Sequence, residues 1–166
     1  MKTSAPLVCA FAIALATAAA ASLAHDDQPT TAHANHPHDA GTFSDAGQPG
    51  KPSAVTRTIR VRMLDSMRFD PSSITVKTGD TVRFVAVNEG RLRHEFGIGT
   101  HEEQLEHDEM MKVMPDMVHD DPNVVTLEPG QTRELIWQFT KPGTFEIACH
   151  TPGHYPAGMK MSVRAK

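Results

Sequence analysis

From Thr56 to Lys166 apolar and polar residues alternate in short runs, each closed by a turn signal. That pattern confines the chain to a β-sandwich and leaves little room for a helical fold. Ile59, Val61 and Met63 alternate with Thr58, Arg60 and Arg62. Ile74 and Val76 precede Lys77-Thr78-Gly79-Asp80; Val82, Phe84 and Ala86 end at Asn88-Glu89-Gly90; His94, Phe96 and Ile98 alternate next. Beyond an insertion, Val124 to Leu127 runs into Glu128-Pro129-Gly130-Gln131. Leu135, Trp137 and Phe139 then form the longest apolar face, and Thr140-Lys141-Pro142-Gly143 turns the chain into Phe145, Ile147 and Cys149. A last strand sets Met159, Met161 and Val163 against Lys160, Ser162 and Arg164. The expected fold class is all-β, and about 110 residues make one sandwich domain.

Residues two apart in a strand share a face, so Cys149 points inward with Phe145 and Ile147, and His94 points inward with Phe96 and Ile98. The run Cys149-His150-Thr151-Pro152-Gly153-His154-Tyr155-Pro156-Ala157-Gly158-Met159 then places a thiol, an imidazole and a thioether on one loop. With the upstream imidazole of His94, these are the donors of a mononuclear electron-transfer copper site: two His and one Cys roughly in a plane, with a weak axial Met. The bland alternative is packing, since buried Cys and Met and a lone inward His are usually core residues. His150 alternates away from Cys149 and is expected to be exposed.

Lys2, the apolar run from Ala5 to Ala21 and the small-residue site Ser22-Leu23-Ala24 read as a secretory signal peptide over 1–24. A retained membrane anchor is the competing reading, since the run approaches spanning length, but it is Ala-rich and lacks a basic stop-transfer cluster, so no membrane association is expected after cleavage. Cleavage also removes Cys9. An exported chain with one thiol forms no internal disulfide, and Cys149 must be either inertly buried or held by a metal. The formal net charge of −4, more negative still without Lys2, argues against nucleic acid as a partner. Residues 25–55 are polar and rich in Pro, Gly and His, too poor in apolar groups to offset the entropy of ordering. They read as a disordered tail, with His25, His33, His36 and His38 as candidate copper ligands or as parts of a solubilising linker.

His94, the pair Ala148-Cys149, Pro152-Gly153-His154 and Gly158-Met159 together resemble the cupredoxins, the type 1 copper proteins related to plastocyanin and azurin. The resemblance covers 56–166. It implies a Greek-key β-sandwich with one copper ion at one end, held by His94, Cys149, His154 and Met159. It further implies a redox partner protein docking at an apolar patch around His154, formed by Pro152, Tyr155, Pro156 and Ala157. Many members carry Asn after the first His ligand, whose amide supports the thiolate loop. This chain has Glu95, which cannot donate when ionised.

An insertion over about 100–123 carries its own signal. Thr100 with Glu103 makes a capping box and Pro115 stops the segment, which predicts a helix from about His101 to Met114. His107, Met110, Met111 and Met114 fall on one face of it, with Met117 and His119 just beyond. A methionine stripe at this spacing commonly packs a helix onto its domain. Thioethers also select Cu(I), so His101, His107, Met110, Met111, Met114, Met117 and His119 are candidates for a second copper site. In composition the insertion and tail resemble the periplasmic copper-tolerance cupredoxins of the CopI type, a branch associated with copper resistance and oxidation of toxic Cu(I). The resemblance implies a periplasmic, monomeric protein that handles copper ions with Cu(I)/Cu(II) cycling and cuprous oxidase activity. A dedicated respiratory or photosynthetic electron carrier and a copper chaperone without redox role are the alternatives. A binuclear copper centre needs two bridging thiolates and is excluded. No hydrolase motif is present.

Overall fold

The computed structural model describes residues 44–166. The signal peptide expected at 1–24, and His25, His33, His36 and His38, lie outside the described residues. In chain order the elements are β1 (Gln48–Pro49), β2 (Arg57–Leu64), β3 (Arg68–Asp70), β4 (Ser73–Val76), β5 (Thr81–Asn88), β6 (His94–Gly99), α1 (His101–Val113), β7 (Asp120–Asp121), β8 (Val124–Leu127), β9 (Thr132–Gln138), β10 (Gly143–Ala148) and β11 (Lys160–Ala165).

These strands build two sheets, ordered β1-β9-β5-β2-β3 and β4-β11-β10-β6-β8-β7. The pairs β2–β5 and β4–β11 are parallel and the others antiparallel. Sequence neighbours are therefore often not sheet neighbours, as a Greek-key sandwich requires. The inward residues interlock between the sheets. Phe84 of β5 meets Phe96 of β6 with ring centroids 5.5 Å apart, and Phe69 of β3 approaches Phe96 edge-on at 5.9 Å. Val61, Met63, Trp137, Ile147, Met161 and Val163 complete a core with no solvent exposure at any of them.

The domain begins earlier than composition indicates, which shortens the expected tail over 25–55. Ala46 is fully buried and its carbonyl accepts from Trp137 Nε1 at 3.3 Å, while Gln48 and Pro49 pair with Gln138 and Trp137. Backbone pairing and one small buried residue hold this segment, and neither needs apolar content that a composition scan would detect.

The helix forms where its caps predict. Thr100 Oγ1 accepts from the Glu103 N–H at 3.2 Å, and Glu103 Oε2 accepts from the Thr100 N–H at 2.7 Å. The same carboxylate accepts from Ser44 Oγ and the Asp45 N–H, tying the start of the helix to the N-terminal segment. Gln104 Nε2 donates to the carbonyls of Gly97 and Glu146, both at 2.9 Å, which lays α1 across β6 and β10 on the side away from the core. Gly99 permits that approach, since a Cβ there would stand 3.0 Å from Glu103 Oε2 and 3.3 Å from Gln104 Nε2. Thr100→Ala should cost about 1 kcal/mol of stability by loss of the cap. Urea unfolding checks this, and an unchanged midpoint would mean that water replaces the hydroxyl.

The helix changes the burial of β6. Every residue of that strand is buried, His94, Phe96 and Ile98 in the core and Glu95, Gly97 and Gly99 on the opposite face. His150, expected to be exposed, is fully buried for the same reason. Strand parity does turn it away from the core, but α1 roofs the face it turns to.

Candidate metal centre

Cys149 leaves the end of β10 and His94 opens β6, so the antiparallel pairing of these strands brings both to one end of the sandwich. His154 arrives from the loop between β10 and β11. That loop is held by its own backbone: Cys149 N–H donates to the Met159 carbonyl (3.2 Å), Met159 N–H to the His154 carbonyl (3.0 Å), and His154 N–H to the Thr151 carbonyl (2.9 Å). Gly153, at φ +87°, supplies a turn in the left-handed region that other residues adopt only with strain. Thr151 Oγ1 donates to the Arg93 carbonyl, pinning the loop beside His94.

The result is a convergence of three donor atoms. His94 Nδ1 and His154 Nδ1 are 3.2 Å apart, and Cys149 Sγ lies 3.8 Å from the first and 3.4 Å from the second. Met159 is fully buried at the base of the same loop. Burial pushes the Cys149 thiol up to about 11, only partly offset by the Glu95 backbone N–H, which donates to Sγ at 3.2 Å. The metal-free thiol therefore keeps its proton at neutral pH, and metal uptake displaces it. Burial also lowers both imidazoles, leaving them neutral and ready to ligate.

Two groups that position the site carry no motif in the sequence. Asp65, in the turn after β2, accepts from the Arg91 and Leu92 backbone N–H groups and stands 3.3 Å from His94 Nε2. A carboxylate on the outer nitrogen orients the ring and frees Nδ1 for the site. Asn88 donates to the Leu92 and Leu127 carbonyls and accepts from the Gly90 N–H, bracing the turn that leads into His94. Glu95 substitutes for the expected amide without touching the thiol through its side chain, since only its backbone N–H faces Sγ.

The candidates in the insertion separate. His101 is largely exposed and lies 3.3 Å from both Glu146 Oε1 and Tyr155 Oη. His107 and His119 come together, with Nε2 atoms 3.2 Å apart. Met111 is fully buried, Met110 and Met117 are half-buried, and Met114 is exposed. The buried stripe of α1 is Gln104, Asp108 and Met111; of the face that carries His107, Met110, Met111 and Met114, Met111 belongs to it, and the rest of that face is rotated away. Tyr155, grouped by the sequence with the surface around His154, instead turns inward and donates to Glu146 Oε2 at 2.7 Å.

A thiol and two neutral imidazoles brought together in a Greek-key sandwich, with a thioether on the same loop, are the donors that a type 1 copper centre uses. A family model for copper-binding proteins of the plastocyanin/azurin family matches residues 56–166, and the chain belongs to that family. It is similar to the copper-resistant cuproprotein CopI of Rubrivivax gelatinosus, 50% identical over 154 residues that cover 92% of this chain and 90% of that one. It is also similar to the CopI of Vibrio cholerae, at 39% over 122 residues, 73% of this chain and 72% of the other. Among solved structures, sodium-dithionite-reduced auracyanin from Roseiflexus castenholzii aligns with a TM-score of 0.59 at 25% identity, covering 68% of this chain and 98% of that one. Auracyanin B shares the fold, with a TM-score of 0.60 at 22% identity over 73% and 96% of the two chains. The protein is thus a copper-handling cupredoxin. The donor set at Cys149 fits the metal, because thiolate with imidazole suits both copper oxidation states.

Proposed function

We propose that this is an exported, periplasmic, monomeric copper-tolerance protein. On this proposal His94, Cys149, His154 and Met159 hold one type 1 copper ion that cycles between Cu(I) and Cu(II) by one-electron transfer. The observation that carries the proposal is the convergence of one thiol and two neutral imidazoles, preassembled by the strands and loop around them. A site built this way exchanges an electron with little ligand movement. The likeness to the CopI cuproproteins, whose name is copper resistance, supports tolerance as the purpose.

His154 is 9% exposed and is bracketed by exposed Pro152, Gly153, Pro156 and Ala157. These make a small apolar docking face, bordered by Arg68, whose guanidinium donates to the Ala157 carbonyl, for a redox partner protein to which the electron of Cu(I) passes, leaving Cu(II). The histidines of the tail and the surface-accessible methionines of the insertion gather copper ions for the centre. A dedicated electron carrier is the second reading, favoured by the structural likeness to an auracyanin of a photosynthetic bacterium, solved in a dithionite-reduced form. Deleting the gene separates the two: tolerance predicts growth that fails as copper is raised while respiration is normal. A respiratory defect with unchanged copper tolerance would return the protein to the carrier class.

Met159 tunes the centre, since an axial thioether in such sites is long and weak. Met159→Gln should retain copper, with a changed visible spectrum and a lowered reduction potential. Loss of all copper on dialysis would show that the thioether is essential.

A further inference from the structure

Behind the Cys149 centre, on the face roofed by α1, lies a second cluster of ligand-type side chains. Glu95, His107 and His119 each offer one donor atom, and these lie within 4.8 Å of one another. They come from three separate elements: β6, α1 and the segment leading into β7. The two Nε2 atoms stand 3.2 Å apart, and Glu95 Oε2 is 3.8 Å from His107 Nε2. That separation is close to the ~3.3 Å that two ligands at about 2.0 Å span across a tetrahedral ion. It also equals the separation of His94 Nδ1 and His154 Nδ1 in the first centre.

Two details distinguish this cluster from ordinary packing. Glu95 is fully buried and neither carboxylate oxygen has a hydrogen-bond partner, a costly arrangement for an acid taken out of water. A hydrogen bond between the two imidazoles would satisfy His107 and His119 yet leave Glu95 orphaned, whereas a cation between the three satisfies it. The outer nitrogen of His119, Nδ1, lies 3.2 Å from Asp121 Oδ2, and the His119 N–H donates to Thr126 Oγ1 at 2.8 Å. This fixes the ring with Nε2 directed at the cluster, as Asp65 fixes His94 in the first centre. His150 stacks on His107 at 4.3 Å with both ring nitrogens buried and unpartnered. A cleft of about 240 Å³ between α1 and the β6–β8 edge, lined by His107, Met110 and Glu106, gives an ion a way in.

We infer that Glu95, His107 and His119 form a second metal site of imidazole and carboxylate donors, which binds Cu(II) beside the cupredoxin centre. The choice of copper rests on the function proposed above, while the site rests on its own geometry; these donors favour Cu(II) over other divalent first-row ions. The two sites are one residue apart along the chain at His94-Glu95, and His150, next to Cys149, stacks on His107 of the second site.

The test is a Cu(II) titration of the full chain after one equivalent has been bound, followed by electron paramagnetic resonance. The unsubstituted protein should bind one more Cu(II) than His107→Gln/His119→Gln, with a nitrogen/oxygen signal that adds nothing to the visible thiolate band. Glu95→Gln, which keeps the shape of the side chain and removes its charge, should weaken that equivalent at least tenfold. Equal copper numbers in the parent and the double variant overturn the proposal. If the double variant loses its fold, Glu95→Gln decides alone, and unchanged affinity for the second equivalent overturns it. Failure of the cupredoxin assignment would look different, as a missing visible band in every one of these proteins.

Discussion

Serine in place of Cys149 abolishes the intense visible absorption of the copper-loaded protein. The band requires a thiolate bound to Cu(II), and Cys149 is the free cysteine of the described residues, fully buried with its sulfur 3.8 and 3.4 Å from two imidazole nitrogens. A hydroxyl fills nearly the same space, so the loop stays closed by its backbone bonds and His94 and His154 remain in place. Copper can still be held weakly by the two imidazoles, without colour. Spectra at matched copper content check this, and a variant that kept the band would place the chromophore elsewhere.

Phe96→Ala should destabilise the metal-free protein by about 3–5 kcal/mol, the usual cost of emptying an aromatic site in a packed core. Phe96 contacts Phe84 and Phe69 of the opposite sheet and is fully buried. A typical domain has only about 5–15 kcal/mol in total, so the variant should unfold at markedly lower urea. It also sits two residues from His94 on the same face, so copper affinity should fall with it. Leu92→Ala, at an exposed position, should stay within about 0.5 kcal/mol. A loss below about 1 kcal/mol at Phe96 would mean that the two sheets collapse to fill the cavity.

Strand parity made much of this structure legible in the sequence. Period-two alternation assigns Cys149 and His94 to the inner face, and the capping box at Thr100 and Glu103 marks the start of the helix. What parity cannot say is whether the other face meets water. Glu95 and His150 alternate outward, and only the packing of α1, through Gln104 and Gly99, buries them beside His107 and His119. The methionine stripe is only partly legible for a related reason. Helical spacing shows which residues share a face but not which face is turned inward, and the sheet selects Gln104, Asp108 and Met111. Asp65 and Asn88 act through side-chain hydrogen bonds to backbone groups across turns, which leave no periodic trace. The segment from Ser44 to Val55 joins the fold by pairing with β9, and backbone hydrogen bonds have no compositional signature.

X-ray absorption at the copper edge, on protein loaded with one equivalent and measured in both oxidation states, tests the copper centre most directly. One sulfur and two imidazole nitrogens at bonding distance, in Cu(II) and Cu(I) alike, are the predicted result. A first shell of nitrogen and oxygen alone, or a sulfur ligand lost on changing oxidation state, would contradict a redox centre built on His94, Cys149 and His154.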